Sequence, residues 1–206
     1  MSTEDTNKSI QETLDNLQKD YLDLGLVQWP TQGLECYRAL EKVYEEKKVR
    51  AIGVSNFYDD ILADLIKEAK VKPAVNQIEM HPLCFRKSLI EQCKKEGIIV
   101  TAYRPFGELR QEIMENSELH HLSEKKGKQI TQVILRWLVQ QDISAIPMTS
   151  STFRIEESMA IDDFELIPEE IEKVNASTID RKLVHNEQQS LIGFIYNQET
   201  VRTKYY

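Results

Sequence analysis

The stretch AIGVSNFYDDILADLIKEAKVKPAVNQIEM, Ala51 to Met80, decides the fold of this 206-residue chain. Ala51–Ser55 is a short apolar run of strand length. Ile61, Leu62, Leu65, Ile66 and Ala69 then recur with the spacing of a helix that buries one face. Pro73 breaks that pattern, and Ala74–Met80 is a second β-prone run. A strand, a helix and another strand in so short a space describe a βαβ unit, because parallel neighbours need a crossover between them.

The same alternation continues on both sides. Upstream, Ile10, Leu14 and Leu17 mark an amphipathic helix, and Tyr21–Trp29 is a β-prone run that stops at Pro30. Leu34–Lys48 follows as a helix with Cys36, Leu40, Val43 and Tyr44 on one face. Downstream, a helix over Ser88–Glu96 ends at Gly97, a residue suited to the left-handed position past a helix C-terminus. Ile98–Tyr103 is a strand closed by Pro105. After a polar stretch, Ile130, Val133, Ile134, Trp137 and Leu138 form a helical stripe. Ser144–Met148 is the last strand, followed by helices over Arg154–Ala160 and Pro168–Val174. Five strands alternating with helices predict a parallel α/β sheet with helices covering its faces. The pattern alone fits an open doubly wound sheet and part of a closed barrel equally. Residues 1–175 read as one domain and 176–206 as a polar tail, apolar only at Leu191–Tyr196 and Tyr205–Tyr206.

Composition narrows the function classes. A net charge of −8 lacks the basic surface that nucleic acid requires. The pairs Lys47–Lys48 and Lys125–Lys126 lie beside glutamates and read as solvated helix ends. No apolar run approaches the ~20 residues of a membrane helix, so no membrane is expected as a partner. The polar start, Met1 to Lys8, does not read as a signal or transit peptide. Cys36, Cys84 and Cys93 are odd in number and lack metal-ligand spacing, so free thiols in a reducing, cytoplasmic setting are expected.

Parallel α/β folds bind ligands at the C-terminal ends of their strands. That rule nominates Gln28 and Trp29, Ser55 and Asn56, Gln77 with Glu79 and His81, Tyr103 and Arg104, and Met148 and Thr149. Each is equally what a wet loop carries when taken singly. No glycine-rich phosphate loop, nucleophile elbow or HExxH motif is present. The histidines, His81, His120, His121 and His185, form no ligand set; His120 and His121 read as helix surface or half-buried packing and His185 as exposed.

Longer motifs carry a resemblance. Lys48-Val49-Arg50-Ala51-Ile52-Gly53-Val54-Ser55-Asn56-Phe57 is similar to a signature of the aldo-keto reductases, and Val75–Pro82 to that family's next strand. Ala102–Gly107 and Ile146–Thr149 resemble two of its later turns, and Tyr21–Leu24 with Trp29–Pro30 its fourth strand–helix unit. The family fold is a (β/α)8 barrel that binds NADPH without a Rossmann motif. The resemblance therefore implies a partial (β/α)8 TIM barrel. Its five parallel strands and their helices correspond to the family's fourth to eighth strands, with the first three units absent. It implies further that Ser55, Asn56 and Gln77 hold the nicotinamide carboxamide and that Tyr103 stacks on the nicotinamide ring. Arg154 and Glu157 fall where the adenosine end is gripped.

The departures set the functional expectation. The family's proton relay is an Asp, Tyr, Lys and His set; the first three have no match here, and Gln28 stands at the histidine position. Met148 replaces a lysine expected for the 2′-phosphate, Ser158 an asparagine, and Arg104 a serine. The expectation is an inactive, reductase-derived subunit of a larger assembly that binds NADP(H) weakly or not at all. A protein partner or a second copy would cover the open barrel edges. Two alternatives remain: an NADPH-dependent aldehyde or ketone oxidoreductase represented by an incomplete chain, and a nucleotide-binding module without chemistry.

Overall fold

The apolar runs of the sequence assemble into one parallel sheet in the computed structural model, which describes residues 3–178 together with Arg181 and Leu183. In chain order the elements are α1 (Thr3–Leu17), β1 (Gly25–Val27), α2 (Gly33–Glu45), β2 (Ile52–Ser55), α3 (Asp59–Glu68), β3 (Val75–Glu79) and α4 (Lys87–Glu96). They continue as β4 (Ile99–Tyr103), α5 (Gln111–Met114), α6 (Ser117–Lys126), α7 (Ile130–Val139), β5 (Ile143–Ile146), α8 (Thr152–Met159) and α9 (Pro168–Ala176). The strands lie in the order β1-β2-β3-β4-β5, every neighbouring pair parallel, so β1 and β5 are the sheet's edges.

The two faces of the sheet differ sharply. Val27, Ile52, Val54, Asn76, Ile78, Val100, Ala102 and Ile143 point to the helical layer, and all are buried. They meet a single core with Tyr37, Leu40, Leu62, Leu89, Leu119, Ile134 and Trp137. By the pleat, Leu26, Gly53, Val75, Gln77, Ile99, Thr101, Tyr103, Ser144 and Ile146 share the other face. Leu26 lies beside Gly53, and Val75 beside Ile99, in one apolar row. Ile99 is 55% exposed and Ile146 45%, whereas Thr101 is 9% and Leu26, Val75, Gln77 and Tyr103 are half-buried, so this face is partly uncovered. In a closed barrel the same positions would be filled in layers.

Several expectations need correction. The first strand is Gly25–Val27 alone. Leu22 makes an isolated parallel bridge to Val49, and Pro30, which has no N–H to continue the ladder, starts a 3-10 turn. Helix α2 ends at Glu45 because Lys47 adopts a left-handed φ of 61°. Leu17, Tyr44 and Ile61 are exposed, since α1, α2 and α3 bury narrower stripes than their apolar spacing suggests. The last strand stops at Ile146, two residues before Met148. The polar stretch before α7 folds into α5 and α6. Gly97 does take the left-handed position after α4, with φ of 71°. The three cysteines are free and buried. His120 and His121 are exposed. His185 and Leu191–Tyr196 lie outside the described residues, as does most of the tail assigned to 176–206. No helix among the described residues is long and apolar enough to cross a membrane.

Candidate active site

The β2 strand ends by turning Asn56 into the left-handed region, φ 63°, a conformation that asparagine tolerates better than most residues. Its backbone N–H donates to Gln77 O at 2.9 Å, extending the ladder by one bond past Ser55. Ser55 Oγ donates to the same carbonyl at 2.8 Å. The buried Asn56 amide then collects its neighbours. Nδ2 donates to Gln28 O and to Ser55 Oγ, each at 3.1 Å, while Oδ1 accepts from Tyr103 Oη at 2.8 Å and Tyr58 Oη at 3.3 Å. Ser55, Asn56, Gln77 and Tyr103 are thus brought together at the C-terminal ends of β2, β3 and β4. The half-buried Gln77 side chain has no hydrogen-bond partner among the described residues and faces the open side of the sheet.

Gln28 joins this cluster through its carbonyl, and its side chain is exposed. Tyr58 was not among the nominated residues. It lies past the strand end, and only its hydroxyl, reaching back to Asn56, brings it to the site. Burial pushes the phenols of Tyr58 and Tyr103 well above the ordinary tyrosine range, so both stay protonated as hydrogen-bond donors.

Glu79 and His81 are fully buried beneath the cluster. His81 Nδ1 accepts from Leu83 N–H at 3.2 Å, which assigns the ring proton to Nε2, 3.1 Å from Glu79 Oε1. Glu79 Oε1 also accepts from Leu183 N–H at 2.6 Å, and Arg181 N–H donates to Leu83 O at 2.6 Å. A Cβ on Gly107 would stand 3.1 Å from His81 Cγ, so the loop after β4 packs closely on this ring. The pair ties together the end of β3, the loop after β4 and the chain beyond α9, a structural duty.

The other nominated residues are less engaged. Trp29 is half-buried at the turn into α2. Arg104 is left-handed, φ 52°, and pairs with Glu108 at 2.6 Å. Met148 is 79% exposed, and Thr149 Oγ1 accepts from Ser151 N–H at 3.1 Å at the start of α8. Arg154 is exposed in the first turn of α8 with Glu157 one turn on, and no hydrogen bond links them to the Ser55–Tyr103 cluster among the described residues. No set of three metal-ligating side chains occurs among the described residues.

The chain is similar to several known reductases. The glyoxal reductase of Bacillus subtilis is 40% identical over 190 residues, covering 91% of this chain and 68% of its own length. An aldo-keto reductase enzyme from a Medee basin deep-sea metagenome library superposes with a TM-score of 0.85 at 34% identity, over 89% of this chain and 69% of that one. A Bombyx mori aldo-keto reductase in complex with NADP superposes with a TM-score of 0.84 at 26% identity, over 91% of this chain and 67% of that one. This chain therefore spans about two thirds of the length of each. These similarities overturn the expectation of an inactive subunit, because relatives that align over about nine tenths of this chain are named as reductases. They lend nothing to the expectation of weak or lost NADP(H) binding. Since the Aldo/keto reductase family model also matches residues 1–179, a span that includes the strand-end cluster just described, the chain belongs to that family.

Proposed function

We propose that the protein is an NADPH-dependent aldehyde or ketone oxidoreductase. This chain supplies five strand–helix units equivalent to the family's fourth to eighth, and further units complete the barrel at its open edges. The observation that carries this reading is the Ser55–Asn56–Gln77–Tyr103 cluster. It sets a half-buried, unpartnered amide beside an aromatic ring on the open side of the sheet, which suits a nicotinamide carboxamide and its ring. At the adenosine end Met148 offers no charge, so Arg154 is the cation suited to a 2′-phosphate, with Glu157 beside it. When bound, NADPH supplies the hydride.

The residues present orient a cofactor but do not supply the proton. Reduction of a carbonyl needs an acid for the developing alkoxide. Tyr58 and Tyr103 each give their hydroxyl proton to Asn56 Oδ1, and Gln28 can donate a hydrogen bond but does not titrate. The acid belongs to the completing units, supplied by a partner chain or a longer form of this one. The name of the Bacillus subtilis relative makes glyoxal the first substrate to test.

The experiment mixes this chain with a chain carrying the preceding units of that relative. The chain alone should quench or shift NADPH fluorescence on binding, and the mixed complex should oxidise NADPH in the presence of glyoxal. A stable mixed complex that neither binds NADPH nor turns over would overturn the reading.

A further inference from the structure

We propose that Glu79 is a positioning residue: its carboxyl group fastens the chain beyond α9 across the C-terminal end of the sheet, where Arg181 and Leu183 wall the nicotinamide end of the cofactor site. The wall rests on the cofactor reading above; the fastening does not.

By the pleat, Glu79 shares the face of Val75 and Gln77, and it pairs in register with Tyr103. That face is partly uncovered elsewhere, with Ile99 55% exposed, yet Glu79 is 0% exposed. The chain beyond α9 lies against it. Leu183 N–H donates to Glu79 Oε1 at 2.6 Å, a bond between residues 104 positions apart. Gln77 stands two residues back along the same strand, about 7 Å at the rise of a strand. Leu183 is therefore fixed beside the residues assigned to the nicotinamide.

Three contacts hold Arg181 and Leu183, and two of them run through one buried pair. Arg181 N–H donates to Leu83 O at 2.6 Å, and Leu83 is itself oriented by His81, whose Nδ1 accepts from its N–H at 3.2 Å. His81 Nε2 lies 3.1 Å from Glu79 Oε1. The same oxygen thus takes Leu183 directly and, through His81, places the carbonyl that takes Arg181. The third contact, Arg181 Nη2 to Glu112 Oε1 at 2.6 Å, joins two half-exposed side chains, where water and salt weaken an ion pair. A bond to a carboxyl group shut away from water is the stronger hold.

Trypsin tests this in the full chain, because cutting after Arg181 tracks the population in which this segment has lifted off. Rates are taken relative to a synthetic peptide spanning the same bond, and cutting after Arg136, inside α7, reports any general loosening. Leu183→Pro, which removes the N–H, should speed release of residues 182–206 about tenfold or more. Leu183→Ala, which keeps the N–H, should speed it by less than about threefold, and Glu79→Gln, which leaves a neutral acceptor, should fall between the two. NADP should slow the cutting of the parent, and 2′,5′-ADP, which lacks the nicotinamide half, should not. Equal acceleration by Pro and Ala would assign the hold to the leucine side chain, and an unaccelerated Pro variant would assign it to Glu112; either result overturns the fastening. If cutting after Arg136 also rises in Glu79→Gln, the two Leu183 variants decide. Bound NADP that leaves the cutting unchanged, or equal protection by both ligands, would overturn the wall. A parent chain that binds no NADP would refute the cofactor reading and the wall with it, while the ligand-free rates would still decide the fastening.

Discussion

At the scale of single residues, the open face of the sheet is built around one glycine. A Cβ at Gly53 would stand 2.5 Å from Val75 O and 2.9 Å from Leu26 Cδ2. The first neighbour is backbone in an adjacent strand and has no room to yield without disturbing the ladder. Gly25 offers a contrast, since a Cβ there meets only side-chain tips, Leu40 Cδ1 at 3.1 Å and Val49 Cγ1 at 3.3 Å. Gly53→Ala should therefore cost about 1–3 kcal/mol, the range for overpacking, and Gly25→Ala clearly less. Urea unfolding decides it: the Gly53 variant should show the lower midpoint at an unchanged slope. Equal midpoints would mean that the strands can separate to admit a methyl group. At this scale the sequence was only partly legible. Ser55, Asn56, Gln77 and Tyr103 were nominated by their place at strand ends, and they do converge. Gln28 was nominated for its side chain but contributes its carbonyl, which every residue has and no sequence motif marks. Tyr58 is invisible in the same way, because its role depends on a hydroxyl meeting an amide across a turn.

At the scale of elements, α9 is fastened to α6 by a carboxylate that sequence reading left unremarked. Glu170, 5% exposed, takes Lys125 Nζ at 2.8 Å and Lys126 Nζ at 3.0 Å, and its Oε2 accepts from Ile167 N–H at 2.9 Å at the start of its own helix. Lys125 and Lys126, expected as a solvated helix end, form one side of this clamp. Burial pushes the Glu170 carboxyl up, but the hydrogen bonds from Lys125, the Ile167 backbone and Lys126 outweigh it and hold it at about 2, against 4.5 ordinarily. A carboxyl depressed on folding stabilises the native state fully above its unfolded value, and that stability is lost as pH falls through the folded value. Between about pH 5 and pH 2 the parent should lose on the order of 2–3 kcal/mol that Glu170→Gln never had. Urea midpoints across that window test it; parallel pH profiles for the two proteins would refute the clamp. The βαβ stretch Ala51–Met80 was legible because its apolar spacing changes from strand to helix and back. Helix α6 was not, because only Leu119 and Leu122 of Ser117–Lys126 are buried. Its remaining signals were terminal: Asn116 caps it by accepting from Glu118 and Leu119 N–H, and Gly127 ends it at φ 64°.

At the scale of the whole molecule, the described chain has one finished face and one unfinished one. Apolar side chains on the helical side of the sheet are fully covered, whereas Ile99 and Ile146 on the other side are about half exposed. The exposed apolar surface continues at the β5 edge through Met148, Phe153, Ile155 and Met159, and α8 buries none of its side chains. Each of these residues would gain up to about 1.5–3 kcal/mol on full burial, so a handful rivals the ~5–15 kcal/mol that holds an ordinary domain together. Among the described residues both edge strands also lack a neighbour on one side, a template for further strands. The chain expressed alone should therefore self-associate or bind an apolar-sensitive dye. Adding the preceding units of the Bacillus subtilis relative should turn it into a discrete complex with the dye signal lost. The two measurements separate the causes: the dye reports the uncovered face, and sedimentation reports what the edges pair with. A monodisperse, cooperatively melting monomer that binds no dye would show that residues beyond the described ones cover this face from within the chain. The edges would then need no second chain, and the proposed completion of the barrel would lose its physical reason.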